Sequence, residues 1–554
     1  MINLHCGAPK SDTRSAYDGG VNNTPFDTRR RLLGLPLAWF AAGAGAATLA
    51  SSARPPVTQA RVFPPLAAPL RFELDIATDA PGTPVNRRVL GSNVQWVYGG
   101  DDMLGPDDRF NPPMLQLAKA LAPTVLRYPG GAQSDAYHWE RGVGPMAARG
   151  QNEHVNARQN QPTRLGTREF LELCEATGAA PLFTLNLATG TPEEAARWMQ
   201  AANVARMTSS LTGKPLPKVA YWELGNEPYL TQERPDLAVT PAEFARRANR
   251  FIAALRAIEP DAVIGLPLTM DRRNGIPATH VFGFTTQVLA GITERIDFVS
   301  VHDAYMPFAG KDTDPAALYW GAMAATRTVR ADMDAMQRAL RAWRPHATLP
   351  LAVTEYSAMF TLGAGATDQW AATPAAALYA ADALRLFASS PDVLLANQWS
   401  LSANWVFGAI TAHGFTRPVY TAMAWMGQAL QGERVAATMR SDTVATPSVG
   451  LSAAQPALPL VEALVTREAG RTWRIALIQK DPRRPAQGRI WLAGLPIAEL
   501  RSARLETWQA PDIFDASDDH ALWQHAEQVL PVASTLSVQL PPSSLALLTI
   551  TLSS

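Results

Sequence analysis

Tyr221-Trp222-Glu223-Leu224-Gly225-Asn226-Glu227-Pro228 is a short apolar run that breaks on a glycine and delivers a glutamate. Leu351-Ala352-Val353-Thr354-Glu355-Tyr356 repeats the arrangement further along the chain. Near-continuous apolar runs of this length suit strands of a parallel sheet covered on both faces. Working outward, strand candidates stand at 89–96, 124–128, 180–187, 218–224, 262–266, 296–302, 349–354 and 393–399. Helical patterns fill the gaps. Three of them open on Thr-Pro, at Thr191-Pro192, Thr240-Pro241 and Thr373-Pro374. Threonine suits the N-cap, and proline suits the first helical position, where no N–H is needed. Glu194 and Glu243 stand where they complete capping boxes at the first two. Eight strands alternating with helices predict an α/β fold, a (β/α)8 TIM barrel over 88–431. A doubly wound open sheet is the structural alternative, but no glycine-rich phosphate loop follows any strand.

The texture changes on either side of this block. From 432 to 554 the pattern turns to short strands, with 461–467 and 472–480 flanking an Ala469-Gly470 turn as a hairpin. This predicts a C-terminal antiparallel β-sandwich, to which 70–76 in the lead-in 54–87 adds a strand. Residues 1–53 read as an address. Thr28-Arg29-Arg30-Arg31-Leu32-Leu33 precedes an apolar stretch and then small residues, which resembles a twin-arginine export signal. The alternative is an anchor kept in the membrane, although Pro36 and the Ala and Gly content favour cleavage near Ala50 or Ala53. The reading predicts an exported protein, periplasmic or extracellular, with no stable membrane partner after cleavage.

Composition excludes several function classes. The 554 residues carry 49 basic and 49 acidic side chains, and loss of 1–53 removes five basic and three acidic ones. A slightly acidic mature chain has no basic excess for tracking phosphates, so no nucleic-acid partner is expected. Cys6 and Cys174 are the only cysteines, too few for a disulfide framework or a zinc finger. Cys174, among Phe170, Leu171 and Leu173, reads as buried and inert. His138 and His154 show no metal-ligand spacing, and His520 and His525 read as solvated in a polar loop. No metal site and no cofactor are expected.

Barrels of this kind carry their chemistry at the C-terminal ends of the strands. Glu227 ends the fourth candidate strand and Glu355 the seventh, on opposite sides of an eight-stranded ring. Either glutamate alone fits a helix cap or an arginine partner equally well. Together they suit glycoside hydrolysis, where one carboxyl protonates the leaving group and the other, ionised, attacks the anomeric carbon. Glu227 as general acid then needs a raised pKa, and Glu355 must stay ionised. Arg127, ending the second strand, is placed to keep it so. Trp399, ending the eighth, suits an apolar platform under a sugar. Asn186, Gln398, Asn93, Trp96, Tyr137 and Trp139 are weaker candidates at the same end.

The Asn226-Glu227-Pro228 motif, with a glutamate ending strand seven, resembles clan A of the glycoside hydrolases. Within it, Leu126-Arg127-Tyr128-Pro129-Gly130-Gly131, Asp135-Ala136-Tyr137-His138-Trp139, Thr184-Leu185-Asn186, Thr191-Pro192-Glu193-Glu194-Ala195-Ala196-Arg197-Trp198 and Trp222-Glu223-Leu224-Gly225-Asn226-Glu227 are similar to the family 51 α-L-arabinofuranosidases. The resemblance covers most of 88–430. It implies that Glu227 is acid/base and Glu355 nucleophile, and that Arg127 contacts Glu355. It also implies that Asn226 hydrogen-bonds the sugar 2-OH, and that His302 and Tyr305, ending strand six, orient the glutamates. It carries an expectation of a homo-oligomer as well. Three readings stay open: an exported retaining arabinofuranosidase acting on plant-type polysaccharides or oligosaccharides; a clan A enzyme of other specificity, such as a β-xylosidase, β-glucuronidase or endo-β-glucanase; and a carbohydrate-binding barrel without catalysis.

Overall fold

The computed structural model describes residues 57–553 apart from 231–235, 271–282, 310–312, 347, 361–366, 404–405, 493, 496 and 518–521. The export segment at 1–53 and His520 lie outside the described residues.

Eight parallel strands close on themselves: β1 (Gly91–Asn93), β2 (Val125–Tyr128), β3 (Ala180–Thr184), β4 (Tyr221–Glu223), β5 (Ile264–Pro267), β6 (Phe298–Val301), β7 (Leu351–Phe360) and β8 (Val393–Gln398). Each pairs with the next, and Asn397 beside Gly91 joins β8 to β1. The closed ring is the predicted (β/α)8 barrel, and the open-sheet alternative falls away. Several elements differ from expectation. β4 stops at Glu223, so Glu227 stands in the following loop rather than on a strand. β6 stops at Val301, and Tyr305 belongs to a separate strand, Ala304–Ala309, parallel to the far half of β7.

Side chains alternate along a strand with period two, so inward positions can be read directly. Val125, Leu182, Phe298, Ala352 and Leu395 pack as one apolar cluster from five strands. Gly265 is required at this level, because a Cβ there would lie 2.0 Å from the Phe298 ring. Two residues further along each strand the inward position turns polar: Arg127, Thr184, Glu223, Ser300, Thr354 and Asn397, all buried. The barrel is therefore plugged by hydrocarbon below and by a hydrogen-bonded layer above, at the end where the strands deliver their loops.

The Thr-Pro helix starts form at Pro192–Met199, Pro241–Ile258 and Pro374–Ser389, each capped by the threonine hydroxyl. The reciprocal half of the predicted capping boxes is not made. Glu194 turns to His138 Nδ1 at 3.1 Å, and Glu243 pairs with Arg246 and Arg247. A side-chain donor within reach, the imidazole for Glu194 and two guanidinium groups for Glu243, takes each carboxylate in place of a single backbone N–H.

In the C-terminal region two larger sheets share a core of Phe72, Leu74, Ile475, Leu477, Val538 and Leu548, and Thr443–Thr446 pairs separately with Gln455–Pro459. The predicted hairpin forms as Val461–Glu468 against Thr472–Gln479. Leu70–Ile76 joins the smaller of the two core-sharing sheets and buries every second residue. It runs antiparallel to Ala437–Ser441 but parallel to Ala486–Trp491, so this sheet is mixed rather than wholly antiparallel. His525 is not in a loop; it lies on Gln524–Leu530 with Nε2 3.3 Å from Glu506. Cys174 is buried, which pushes its thiol pKa well above normal.

Candidate active site

Arg127 organises the polar layer. It is fully buried and spends its guanidinium on four partners: Nε to Glu223 Oε2 at 2.7 Å, Nη1 to Glu355 Oε1 at 2.7 Å and Asn93 Oδ1 at 3.1 Å, and Nη2 to Asn226 Oδ1 at 2.9 Å. Burial alone would lower its pKa, but Glu223 and then Glu355 reverse that, so the guanidinium stays charged. Glu223 shows the mirror case. Burial, the largest single effect, would raise its pKa, but Arg127, then His302 and the hydroxyl donors, together outweigh it and the net shift is downward. Thr184 and Thr354 complete its shell, donating at 2.7 and 2.8 Å.

Glu355 takes its second hydrogen bond from the Tyr305 hydroxyl, which donates to Oε2 at 2.6 Å. Burial and the adjacent carboxylate hold the Tyr305 pKa well above its ordinary value, so this hydroxyl remains a donor. Glu227 is carried by a sharp turn. Gly225 has φ +86°, and Glu227 itself has φ +40°, a left-handed conformation that a side-chain-bearing residue adopts at a cost. The turn brings Glu227 Oε1 to 3.0 Å from His302 Nδ1, and Glu355 Oε1 lies 3.8 Å from the same nitrogen. The two carboxylates thus bracket one imidazole. Glu355 is almost buried, at 6% side-chain exposure, whereas Glu227 keeps 21%.

Trp399 closes the apolar side. It packs with Val406, Phe407 and Tyr305, and a Cβ on Gly131 would lie 2.6 Å from its ring. On the other side, an open cleft of about 640 Å³ runs past Asn226 and Glu227, walled by Ala132, Asp135, Val155, Leu187 and Val239.

The structure brings Glu227, Glu355, Asn226, Arg127, His302, Tyr305 and Asn93 into one constellation. Asn186 and Gln398 lie nearby but use their amides on loops. Asn186 donates to the Tyr137 carbonyl and to Thr189, and Gln398 donates to the carbonyls of Trp399 and Phe407. Trp96, Tyr137 and Trp139 are buried packing residues, with Tyr137 accepting from Tyr128 and Trp139 stacked on Trp198. Glu223 and Thr354 were missed from sequence. The available signal was a glutamate in an otherwise apolar central strand, which must find a buried cation because an unpaired charge there is too costly.

The family model for the α-L-arabinofuranosidase 1 domain matches residues 117–283. A probable α-L-arabinofuranosidase C of Aspergillus terreus is 33% identical over 183 residues, 31% of this chain and 35% of that protein. An exo-α-(1→6)-L-arabinofuranosidase of Bifidobacterium longum is 29% identical over 256 residues, 42% of this chain and 47% of that protein. The matched stretch spans about a third to a half of these relatives' own length. Among solved structures, the family 51 α-L-arabinofuranosidase of Thermotoga petrophila superposes with a TM-score of 0.71 at 20% identity, covering 87% of this chain and 99% of that one. At that identity the likeness speaks for the barrel and its appended sheets. By fold, motif and matched sequence, the chain stands close to the family 51 α-L-arabinofuranosidases of clan A of the glycoside hydrolases.

Proposed function

We propose that the chain is a retaining glycosidase that releases α-L-arabinofuranosyl residues from plant-type polysaccharides or oligosaccharides. The observation that carries this is the bracketing of His302 Nδ1 by two carboxylates at 3.0 and 3.8 Å. Laid end to end, those distances cap the separation of the two oxygens, and the cap excludes most of the range of about 6.5–9.5 Å used by inverting pairs. A water molecule has little room between such carboxylates, which favours direct attack by one of them.

The environments divide the labour. Glu355, held by Arg127 and the Tyr305 hydroxyl, is the ionised nucleophile. Glu227, more exposed and facing an imidazole, is the acid that protonates the leaving oxygen and the base that later activates water. Nucleophile and leaving group lie on opposite faces of the anomeric carbon. A cleft that touches Glu227 but not Glu355 is therefore where the departing group sits. Asn226, fixed by Arg127, presents its amide N–H to the sugar 2-OH. The printed names of the sequence relatives support arabinofuranose as the sugar, and the paired leading arginines support export.

Purified protein should cleave an aryl α-L-arabinofuranoside with retention of configuration and leave aryl β-xyloside, β-glucuronide and β-glucoside essentially intact. Preference for one of the other three identifies another clan A specificity. Cleavage of none, with oligosaccharide binding retained, identifies a binding barrel.

A further inference from the structure

We propose that Glu223, acting through the Thr354 hydroxyl, fixes His302 as its Nε2–H tautomer, so that in the free enzyme the contact between His302 and Glu227 holds at least one proton at the working pH. Glu223 and Thr354 are positioning residues on this view: neither reaches the sugar. The inference rests on the assignment of Glu227 as acid and base.

Arg127 keeps the Glu223 carboxylate ionised, and an ionised carboxylate only accepts. Thr354 has one hydroxyl hydrogen, and it goes to Glu223 Oε1 at 2.8 Å. The same oxygen lies 2.9 Å from His302 Nε2 and can only accept there, so Nε2 carries a hydrogen. His302 Nδ1 then meets Glu227 Oε1 at 3.0 Å in one of two ways. Either Glu227 is protonated and donates to neutral His302, or His302 is an imidazolium and donates to the carboxylate. With no proton, two lone pairs would face each other across a partly buried contact. Every member between the two glutamates is enclosed: Glu223 and Thr354 are fully buried and His302 is 2% exposed.

The charged and titratable groups facing His302 all bear on that proton. Glu227 follows β4 and Glu355 stands on β7; Glu223 and Arg127 lie beneath on β4 and β2, and Tyr305 reaches Glu355 from the adjoining strand. Asp303, next in the chain, instead accepts from Thr269 and from the Met270 N–H. Burial would lower the His302 pKa, but Glu355 and then Glu227 raise it overall. In the first step the proton passes from Glu227 to the leaving-group oxygen as the glycosidic bond breaks and the Glu355 ester forms. This leaves the disfavoured proton-free contact. In the second step a water proton returns to Glu227 while the water oxygen bonds to the anomeric carbon and the ester breaks. The lone-pair opposition makes Glu227 a stronger base for that step.

Thr354→Val removes the acceptor, and neutral His302 becomes free to move its hydrogen to Nδ1 and donate to the Glu227 carboxylate. The alkaline limb of kcat/KM should then shift down by about one pH unit, the proton equivalent of one hydrogen bond. The loss should be larger for substrates with poor leaving groups than for an activated aryl glycoside. Thr354→Ser keeps the hydroxyl and should keep the wild-type limb. An unmoved limb in Thr354→Val, or an equal shift in Thr354→Ser, overturns the proposal. Nitrogen-15 spectra of histidine-labelled wild-type protein above the alkaline limb provide a reading that needs neither variant to fold nor substrate to be cleaved. His302 should show Nε2–H, and an Nδ1–H signature overturns the proposal. A wild type that cleaves no glycoside but shows Nε2–H removes the assignment of Glu227 and leaves the tautomer standing.

Discussion

Two buried ionic clusters divide the molecule, and they are built to opposite balances. Where the barrel meets the C-terminal sheets, Lys480 Nζ donates to Asp382 at 2.7 Å and to the Met323 carbonyl at 3.2 Å. Arg385 holds the other Asp382 oxygen at 2.6 Å, and Arg327 holds Glu462 at 2.6 Å. Cations outnumber carboxylates among these residues, and both Lys480 and Asp382 are sealed from solvent. At the barrel mouth the ratio reverses: Glu223, Glu355 and Glu227 share one guanidinium and one imidazole. A cluster with each anion matched, and with its Lys480–Asp382 pair sealed, ties helices to sheet. A cluster short of positive charge retains a proton and keeps one carboxylate open to the cleft. On the proposed function, the same residue types give a fastening in one place and a reactive site in the other.

The comparison breaks most sharply at Glu355. Glu355→Gly should lower turnover by about 10⁴-fold or more, as loss of a covalent nucleophile does. The melting temperature should change little, because Arg127 keeps Glu223. A large drop in melting temperature would make the mouth a structural cluster like the junction. The converse variant, Lys480→Met, leaves Asp382 to Arg385 and Thr326 and removes one buried charge-assisted hydrogen bond. It should cost about 1.5–3 kcal/mol in urea unfolding while kcat of the folded enzyme holds. Retained stability would show that the junction is not a fastening.

The smallest effect is in the pH dependence of stability. Asp382 and Glu223 have pKa values below their unfolded ones, in each case because cations overcome the effect of burial. Their contribution is present above about pH 4 and is lost as pH falls through the folded values. His302 is raised, so its contribution is full below about pH 6.5 and fades as pH rises through its folded pKa. Melting curves across pH should therefore fall on both sides, steeply in acid. Asp382→Asn should flatten the acid side and His302→Gln the alkaline one.

The barrel was legible because most of its strands lie in apolar runs bounded by turn residues, and eight such runs alternating with helical patterns leave few other folds. Glu227 and Glu355 were legible as carboxylates closing the fourth and seventh apolar runs, although Glu227 lies in the loop after β4 and Glu355 stands within β7, which continues to Phe360 rather than ending there. The role of Glu223 was hidden by its neighbour, since Glu223 and Glu227 fall in one motif and only the three-dimensional ring shows that the first points inward at Arg127. Thr354 carried no signal, because a threonine in a strand is ordinary and its worth here comes from two distant partners, Glu223 on β4 and His302 just past β6. The parallel pairing of Leu70–Ile76 was equally unreadable: alternation reveals which face is buried, not the direction of the neighbouring strand.

The central claim is the division of roles between the two glutamates, and azide reads it directly. On an aryl α-L-arabinofuranoside with a good leaving group, Glu355→Gly in azide should form the β-arabinofuranosyl azide, because azide attacks in place of the missing nucleophile. Glu227→Ala should form the α-azide, because azide intercepts the glycosyl-enzyme that Glu355 has made. The opposite pair of configurations would exchange the roles, and it would contradict the account of how Arg127, Tyr305 and His302 set them.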